Sequence, residues 1–277
     1  MEQASRTALG AALYRAAHQI QDVPPVFADP LALRIVGPEA ERSLRSGEDV
    51  HARRPSLRAF VAVRSRYAED CLAEAHRRGV RQYVLLGAGL DTFAYRAALP
   101  GLVVFEVDHP ATQAWKRARL AEAGIAVPGS VAYAPVDFER ETAAAGLARA
   151  GFDAGRPAFL AWLGVTPYLP REAVMETLSF AASLPGGSEI VFDYSERAED
   201  RDGAGRRAHR ELAAGVAAVG EPFRSSFQPA ALLAEVRRLG FSEVEDLAAE
   251  ALGARYLRGR ADGLALPGGG HLMRARV

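Results

Sequence analysis

The sequence has 277 residues, 49% of them hydrophobic: long for one domain, but within reach of a single α/β domain with an added cap, and ample to bury a core. Its 34 Lys and Arg balance 34 Asp and Glu, so no long-range attraction to nucleic acid or to an anionic membrane is expected, and a small-molecule partner is. The single cysteine, Cys71, excludes an intrachain disulfide. It falls in an alanine- and glutamate-rich stretch and reads as a packed small hydrophobe rather than a reactive thiol.

From Thr7 to Gln21 the composition is helical and amphipathic, ending at the Asp22-Val23-Pro24-Pro25 break. Met1 to Leu9 carries no apolar leader segment and no stretch has membrane-spanning length, so a cytoplasmic protein is expected. A short helix around Pro30–Val36 follows. Gly37–Pro55 is charged and weakly patterned, which suits a mobile loop or lid. Ser56–Arg78 reads as a long helix stopped by Gly79.

The pattern then changes to short apolar runs separated by helices. Strands are expected at Tyr83–Leu86, Leu102–Val107, Ser130–Pro135, Ala158–Leu163 and Glu189–Asp193, with helices over Pro110–Ala123 and Pro170–Ser183. Runs that do not alternate indicate parallel strands buried on both faces. Ser195–Glu221 reads as a helical insertion, Pro229–Leu239 as a helix, and Phe241–Asp246 and His271–Val277 as a terminal pair of strands. Together these predict one α/β domain: a doubly wound, mostly parallel Rossmann-like sheet over residues 79–277, behind an N-terminal helical cap over residues 1–78. In such sheets the ligand sits at the carboxyl ends of the strands, near the point where strand order reverses.

Gly87-Ala88-Gly89-Leu90-Asp91-Thr92 follows the first strand directly. Two residues without Cβ atoms allow a tight turn and a close approach of backbone to ligand. A dinucleotide site has a third glycine where its helix opens; here that position is Thr92, and Asp91 would repel a phosphate beside the turn. A ligand without phosphates is favoured. Glu106 and Asp108 end the second strand roughly 20 residues further on, the spacing expected of a ribose-binding carboxylate. They lie two apart on one strand face, so either suits the paired hydroxyls of an adenosine. His109 reads as a loop imidazole, and Asp137 follows the third strand.

Taken together, these segments resemble the class I methyltransferases of the leucine carboxyl methyltransferase superfamily, in particular its bacterial branch. The matching pieces are Arg6-Thr7-Ala8, Asp29-Pro30, Val63-Arg64-Ser65-Arg66-Tyr67, Gly87 to Thr92, Phe105 to Pro110, Val136-Asp137-Phe138, Trp162 to Leu169 and Phe192-Asp193-Tyr194, in family order. The resemblance implies S-adenosylmethionine as cofactor. Arg64 would hold its methionine carboxylate, with Asp108 contacting the cofactor and Asp137 and Phe138 reading the adenine. A guanidinium fork fits a carboxylate bidentately. The expected cofactor-binding residues are thus Arg64, Gly87, Ala88, Gly89, Asp91, Glu106, Asp108, Asp137 and Phe138, and no metal is expected. Many relatives carry a glutamate immediately before the glycine after strand four; this chain has Leu163 before Gly164.

The activity implied is O-methylation of a small-molecule carboxylate or hydroxyl. A carboxylate, ionised at neutral pH, needs no general base; a phenol or alcohol does. Tyr168, Asp193 and Tyr194, at the ends of strands four and five, are the acceptor-side candidates, and Phe93, Tyr95 and Trp162 are candidates for lining the pocket against a sulfonium. Two other readings share part of this pattern. One is an NAD(P)-dependent oxidoreductase, against which Thr92 and Arg64 weigh. The other is a binding module without turnover, which the missing glutamate motivates.

Overall fold

A computed structural model describes residues 4–97, 99–138 and 140–277, the side chain of Ala204 aside. Helices α1 (Arg6–Gln21), α2 (Ala32–Val36), α3 (Pro38–Ser46) and α4 (Pro55–Arg77) precede the sheet. Strands β1 (Gln82–Leu86), β2 (Val103–Asp108), β3 (Val131–Pro135), β4 (Ala158–Trp162) and β5 (Glu189–Ser195) are joined by α5 (Phe93–Arg96), α6 (Pro110–Glu122), α7 (Ala143–Arg149) and α8 (Arg171–Ala182). After β5 come α9 (Gly203–Ala218), α10 (Pro229–Arg238), β6 (Glu243–Ala248), α11 (Ala249–Tyr256) and β7 (Gly270–Arg276).

The sheet order is β3-β2-β1-β4-β5-β7-β6, with β3 through β5 parallel and β7 antiparallel to both neighbours. The apolar runs account for this burial. All five residues of β1 and of β4 are buried, as strands covered on both faces require. Val84, Leu86, Leu160, Trp162 and Phe192 point to one face, beneath α7, α8 and α10. Tyr83, Leu85, Phe159, Ala161 and Val191 point to the other, where α4 supplies Val63, Tyr67, Cys71 and Leu72. Burial pushes the Cys71 thiol up to about 11, which agrees with a packed, unreactive role. The chain reverses direction across the sheet between β1 and β4, so a crevice opens at their carboxyl ends.

The segment read as a mobile loop, Gly37–Pro55, instead contains α3. Gly37 breaks the preceding helix, Pro38 starts α3, Glu39 and Glu41 sit in its first turn, and Leu44 is fully buried among α1 and α2 residues. With Ala40 and Leu44 as the only apolar side chains apart from Pro38 in nine residues, the segment offers little helical period to read. Helices α5, α7 and α11 were likewise not expected, and the last two strands sit within two residues of their expected bounds.

The Asp22-Val23-Pro24-Pro25 break is held by a buried network. His18 Nε2 accepts from the amides of Val26 and Phe27 at 2.9 and 3.2 Å, which leaves Nδ1 to donate to Asp22 at 2.7 Å. Arg58 of α4 grips the same carboxylate through two nitrogens, at 2.7 and 2.6 Å. Burial alone would raise Asp22, but Arg58 and His18 hold its carboxyl down at about 2. The folded value lies below that of the unfolded chain, so this stability is complete above about pH 4 and is lost as pH falls toward 2. Asp22→Ala leaves Arg58 buried without its partner and should cost about 3–5 kcal/mol in thermal or urea unfolding. The variant should also show a shallower loss of stability in acid than the parent.

Candidate active site

A cavity of about 910 Å³ opens at the carboxyl ends of β1, β2 and β4. That is near the top of the ~300–1,000 Å³ range of small-molecule sites, room for two ligands side by side. Its floor is the glycine turn. Gly87 and Ala88 donate their amides to Val107 O at 2.8 and 3.0 Å, which folds the turn back over β2. Gly87 has φ +67°, and a Cβ there would lie 2.4 Å from Val165 Cγ2; one on Gly89, at φ +46°, would lie 3.1 Å from Ala8 Cβ. The turn is a cradle that side chains would fill.

Asp108 fronts this cradle. Its Oδ2 accepts from Gly89 N at 2.5 Å and its Oδ1 from His109 N at 2.7 Å. Burial nonetheless raises its carboxyl above the ordinary value, against those two donors. The choice between the two acids of strand two is settled by position. Glu106 is buried beneath the turn, where it accepts from Lys116 Nζ at 2.8 Å and Tyr95 Oη at 2.9 Å, and it does not line the cavity. Glu106 is therefore a core ion pair and not a ligand candidate. Asp91 does line the cavity, but its Oδ1 caps Phe93 N at 2.8 Å. Burial works against its charge, and Arg15, Lys116 and Arg96 hold its carboxyl below the ordinary value. His109 Nδ1 accepts from Ala111 N and caps α6, and the residue also lines the cavity. Asp137 and Phe138 both line the wall beyond it.

Arg64 crosses from α4 to the end of β4. Its Nη1 donates to Asp193 Oδ2 at 2.7 Å, and Asp193 Oδ1 accepts from Gly164 N at 2.5 Å. Gly164 has φ +73°, and a Cβ there would meet Arg64 Nη2 at 2.6 Å, so the guanidinium lies directly against the glycine. Arg64 lines the cavity and Asp193 does not. Asp193 thus belongs behind Arg64 and not on the acceptor side. Tyr194 is also turned away: its hydroxyl donates to Asp246 at 2.7 Å and its ring stacks on His271. Of the three acceptor-side candidates only Tyr168 reaches the cavity. Burial pushes its hydroxyl up to about 12, against Arg64 and Thr7. Phe93 and Trp162 are core residues, and Tyr95 is spent on Glu106 and Tyr133; none lines the cavity.

Three features were not anticipated. Arg15 of α1 lines the cavity, 3.5 Å from Asp29 and 3.8 Å from Asp91, and donates to Leu90 O. Asp29 in turn accepts from Thr92 Oγ1 at 2.7 Å, so the Asp29-Pro30 segment ties α1 to the glycine turn. Glu221 and Arg224, beyond the insertion, form part of the cavity wall. A buried-face arginine in α1 was the one sequence signal for the first.

The family model of leucine carboxyl methyltransferase matches residues 8–182, from α1 through the last residue of α8. The chain belongs to the leucine carboxyl methyltransferase family. That membership makes it an S-adenosylmethionine-dependent methyltransferase. A Bacillus subtilis (strain 168) protein provisionally named as such, YktD, is 33% identical over 81% of this chain and 82% of its own. One so named from Mycolicibacterium paratuberculosis is 34% identical over 93% and 90%. Among solved structures, a DUF574 family protein from Streptomyces avermitilis matches with a TM-score of 0.59 at 18% identity, over 99% of this chain and 98% of that one, a likeness of fold alone. Leu163 of this methyltransferase, the residue before Gly164, lines the cavity.

The Gly164 geometry gives a direct check. Gly164→Ala should cost about 1–2 kcal/mol for its left-handed backbone alone, lowering Tm by about 2–4 °C per kcal/mol. Differential scanning calorimetry measures this. Because the added Cβ displaces the Arg64 guanidinium, the same variant should bind S-adenosylhomocysteine more weakly than the parent.

Proposed function

We propose that this methyltransferase O-methylates a small-molecule carboxylate or hydroxyl, with a carboxylate the better fit. When bound, S-adenosylmethionine supplies a methyl group already activated by its sulfonium. The residues present suit that cofactor. The Gly87 cradle admits a ligand against bare backbone, Asp108 offers a carboxylate to vicinal ribose hydroxyls, and Asp137 and Phe138 line the same cavity, where they are available to an adenine. Arg64, with one nitrogen on Asp193, keeps guanidinium edge for a carboxylate. The oxidoreductase reading is not favoured: the third glycine is replaced by Thr92, locked to Asp29.

With the cofactor on those residues, the wall formed by Thr7, Tyr168, Glu221 and Arg224 is left for the acceptor. One observation there carries the preference for a carboxylate: none of these four residues is placed to remove a proton. The Tyr168 hydroxyl is pushed up to about 12 and stays protonated, and the Glu221 carboxylate already accepts from four donors of Ser5, Arg6 and Thr7 at the start of α1. A carboxylate acceptor arrives ionised and needs only in-line placement, whose contribution reaches several kcal/mol. Arg224, with an exposed side chain, offers it a positive charge at the cavity mouth.

The test is methyl transfer from labelled S-adenosylmethionine to a panel of carboxylic acids, phenols and alcohols. Base-labile methyl esters are expected, with kcat nearly flat between about pH 6 and 9. Ethers alone, with a rate rising through that range, would overturn the carboxylate preference. Cofactor binding with no transfer to any acceptor would favour the binding-module reading that Leu163 motivates.

A further inference from the structure

Helix α9, Gly203–Ala218, has no buried residue among those described, although the chain that leaves it forms part of the cavity wall. A helix without a buried face has little apolar energy holding it in place, so its position depends on what ties its ends. Before the helix, Arg201 binds the carbonyls of Glu196 and Gly269. After it, the chain turns at Gly220, whose φ of +83° favours glycine, and enters Glu221-Pro222. A Cβ on Gly220 would touch nothing, so the turn is not wedged by packing.

At that end Arg224 N donates to Pro167 O at 2.6 Å, and Glu221 is the tie to α1. Its Oε1 accepts from Arg6 N at 2.7 Å; its Oε2 accepts from Ser5 Oγ at 2.9 Å, Thr7 N at 3.3 Å and Thr7 Oγ1. Arg6 and Thr7 open α1, and first-turn amides have no partner within their own helix. A carboxylate at that end also meets the positive pole of the helix dipole. Beside this contact His209 of α9 stacks on Phe223, and Phe223 packs on Tyr168. Ser5, Thr7, Tyr168 and Glu221 all line the cavity, so the clasp is part of its roof.

We infer that Glu221 is a positioning residue of the methyl-transfer site: its clasp on α1 holds the roof in place, and its release, pivoting at Gly220, sets the rate at which ligands exchange. The inference rests on the reading of this cavity as the cofactor and acceptor site. Clasped, Glu221 fixes Thr7 and so the wall around Tyr168. Unclasped, the first-turn amides of α1 face water, and the 203–224 segment keeps Arg201 at one end and the bond from Arg224 N to Pro167 O at the other, so the motion is confined to the chain between α9 and Arg224.

The experiment compares the wild-type protein with Glu221→Ala and Glu221→Gln in two measurements. The first is hydrogen exchange of the ligand-free protein, read at the amides of residues 6–8. The second is stopped-flow binding of S-adenosylhomocysteine. Loss of a charge-assisted contact predicts exchange and both association and dissociation rates about tenfold faster in Glu221→Ala, with Kd nearly unchanged and Glu221→Gln between the two. Unchanged amide exchange in both variants would overturn the clasp. Faster amide exchange with unaltered binding rates would make Glu221 a helix cap only and overturn its control of ligand exchange. Failure of the wild-type protein to bind S-adenosylhomocysteine would instead remove the cofactor reading, and the amide exchange would still decide the clasp.

Discussion

The contact between Arg64, Asp193 and the Gly164 amide joins the three parts of the molecule that make the site. Arg64 belongs to α4, Asp193 to β5 and Gly164 to the turn after β4. With side-chain exposures of 11% and 6%, neither charge is well solvated, and either one left alone would be strongly unfavourable. The pair persists because each partner is satisfied: Asp193 by a guanidinium and an amide, Arg64 by a carboxylate and the cavity. The same contact explains why glycine stands at position 164 and why an acid stands near the end of strand five.

A second tie works alongside it. Asp29 accepts from Thr92 and from Leu31 N, and lies 3.5 Å from both Arg15 and Arg96. Arg96 also pairs with Glu69 of α4. Through these buried charges the N-terminal helices grip the glycine turn from above while β2 grips it from below through Val107 O and Asp108. The rigid side of the cavity is built this way, on strands and packed helices. The opposite side, from the end of α9 to Arg224, has few buried groups, so less packing energy holds it in place.

How far the fold and site are legible in the sequence follows from the same chemistry. Continuous apolar runs such as Val84-Leu85-Leu86 and Phe159-Leu160-Ala161 announce strands covered on both faces, and the alternation of runs with helices announces the parallel sheet. A glycine pair after the first strand and an acid after the second identify the floor of the cavity. What is not legible depends on depth and on distant partners. Glu106 and Asp108 share a strand face, and only the position of Lys116, ten residues on in α6, shows which is core. Asp193 and Tyr194 stand at a strand end, where acceptor residues are expected, yet Arg64 and Asp246 claim them. Glu221 meets Thr7 across more than two hundred residues, and no local pattern records that contact. Helix α3 hides for a different reason: it is nine residues long and only Ala40 and Leu44 mark its inner face.

The central claim is that Arg64, braced by Asp193, holds the carboxylate of the cofactor in this cavity. Isothermal titration of S-adenosylhomocysteine into the wild-type protein, Arg64→Lys and Arg64→Ala tests it most directly, with NAD(H) as control. The account predicts binding to the wild type, at least about tenfold weaker in Arg64→Ala and only partly restored by lysine, which lacks the planar fork. Equal affinity in all three proteins, or binding of NAD(H) in place of S-adenosylhomocysteine, would contradict it.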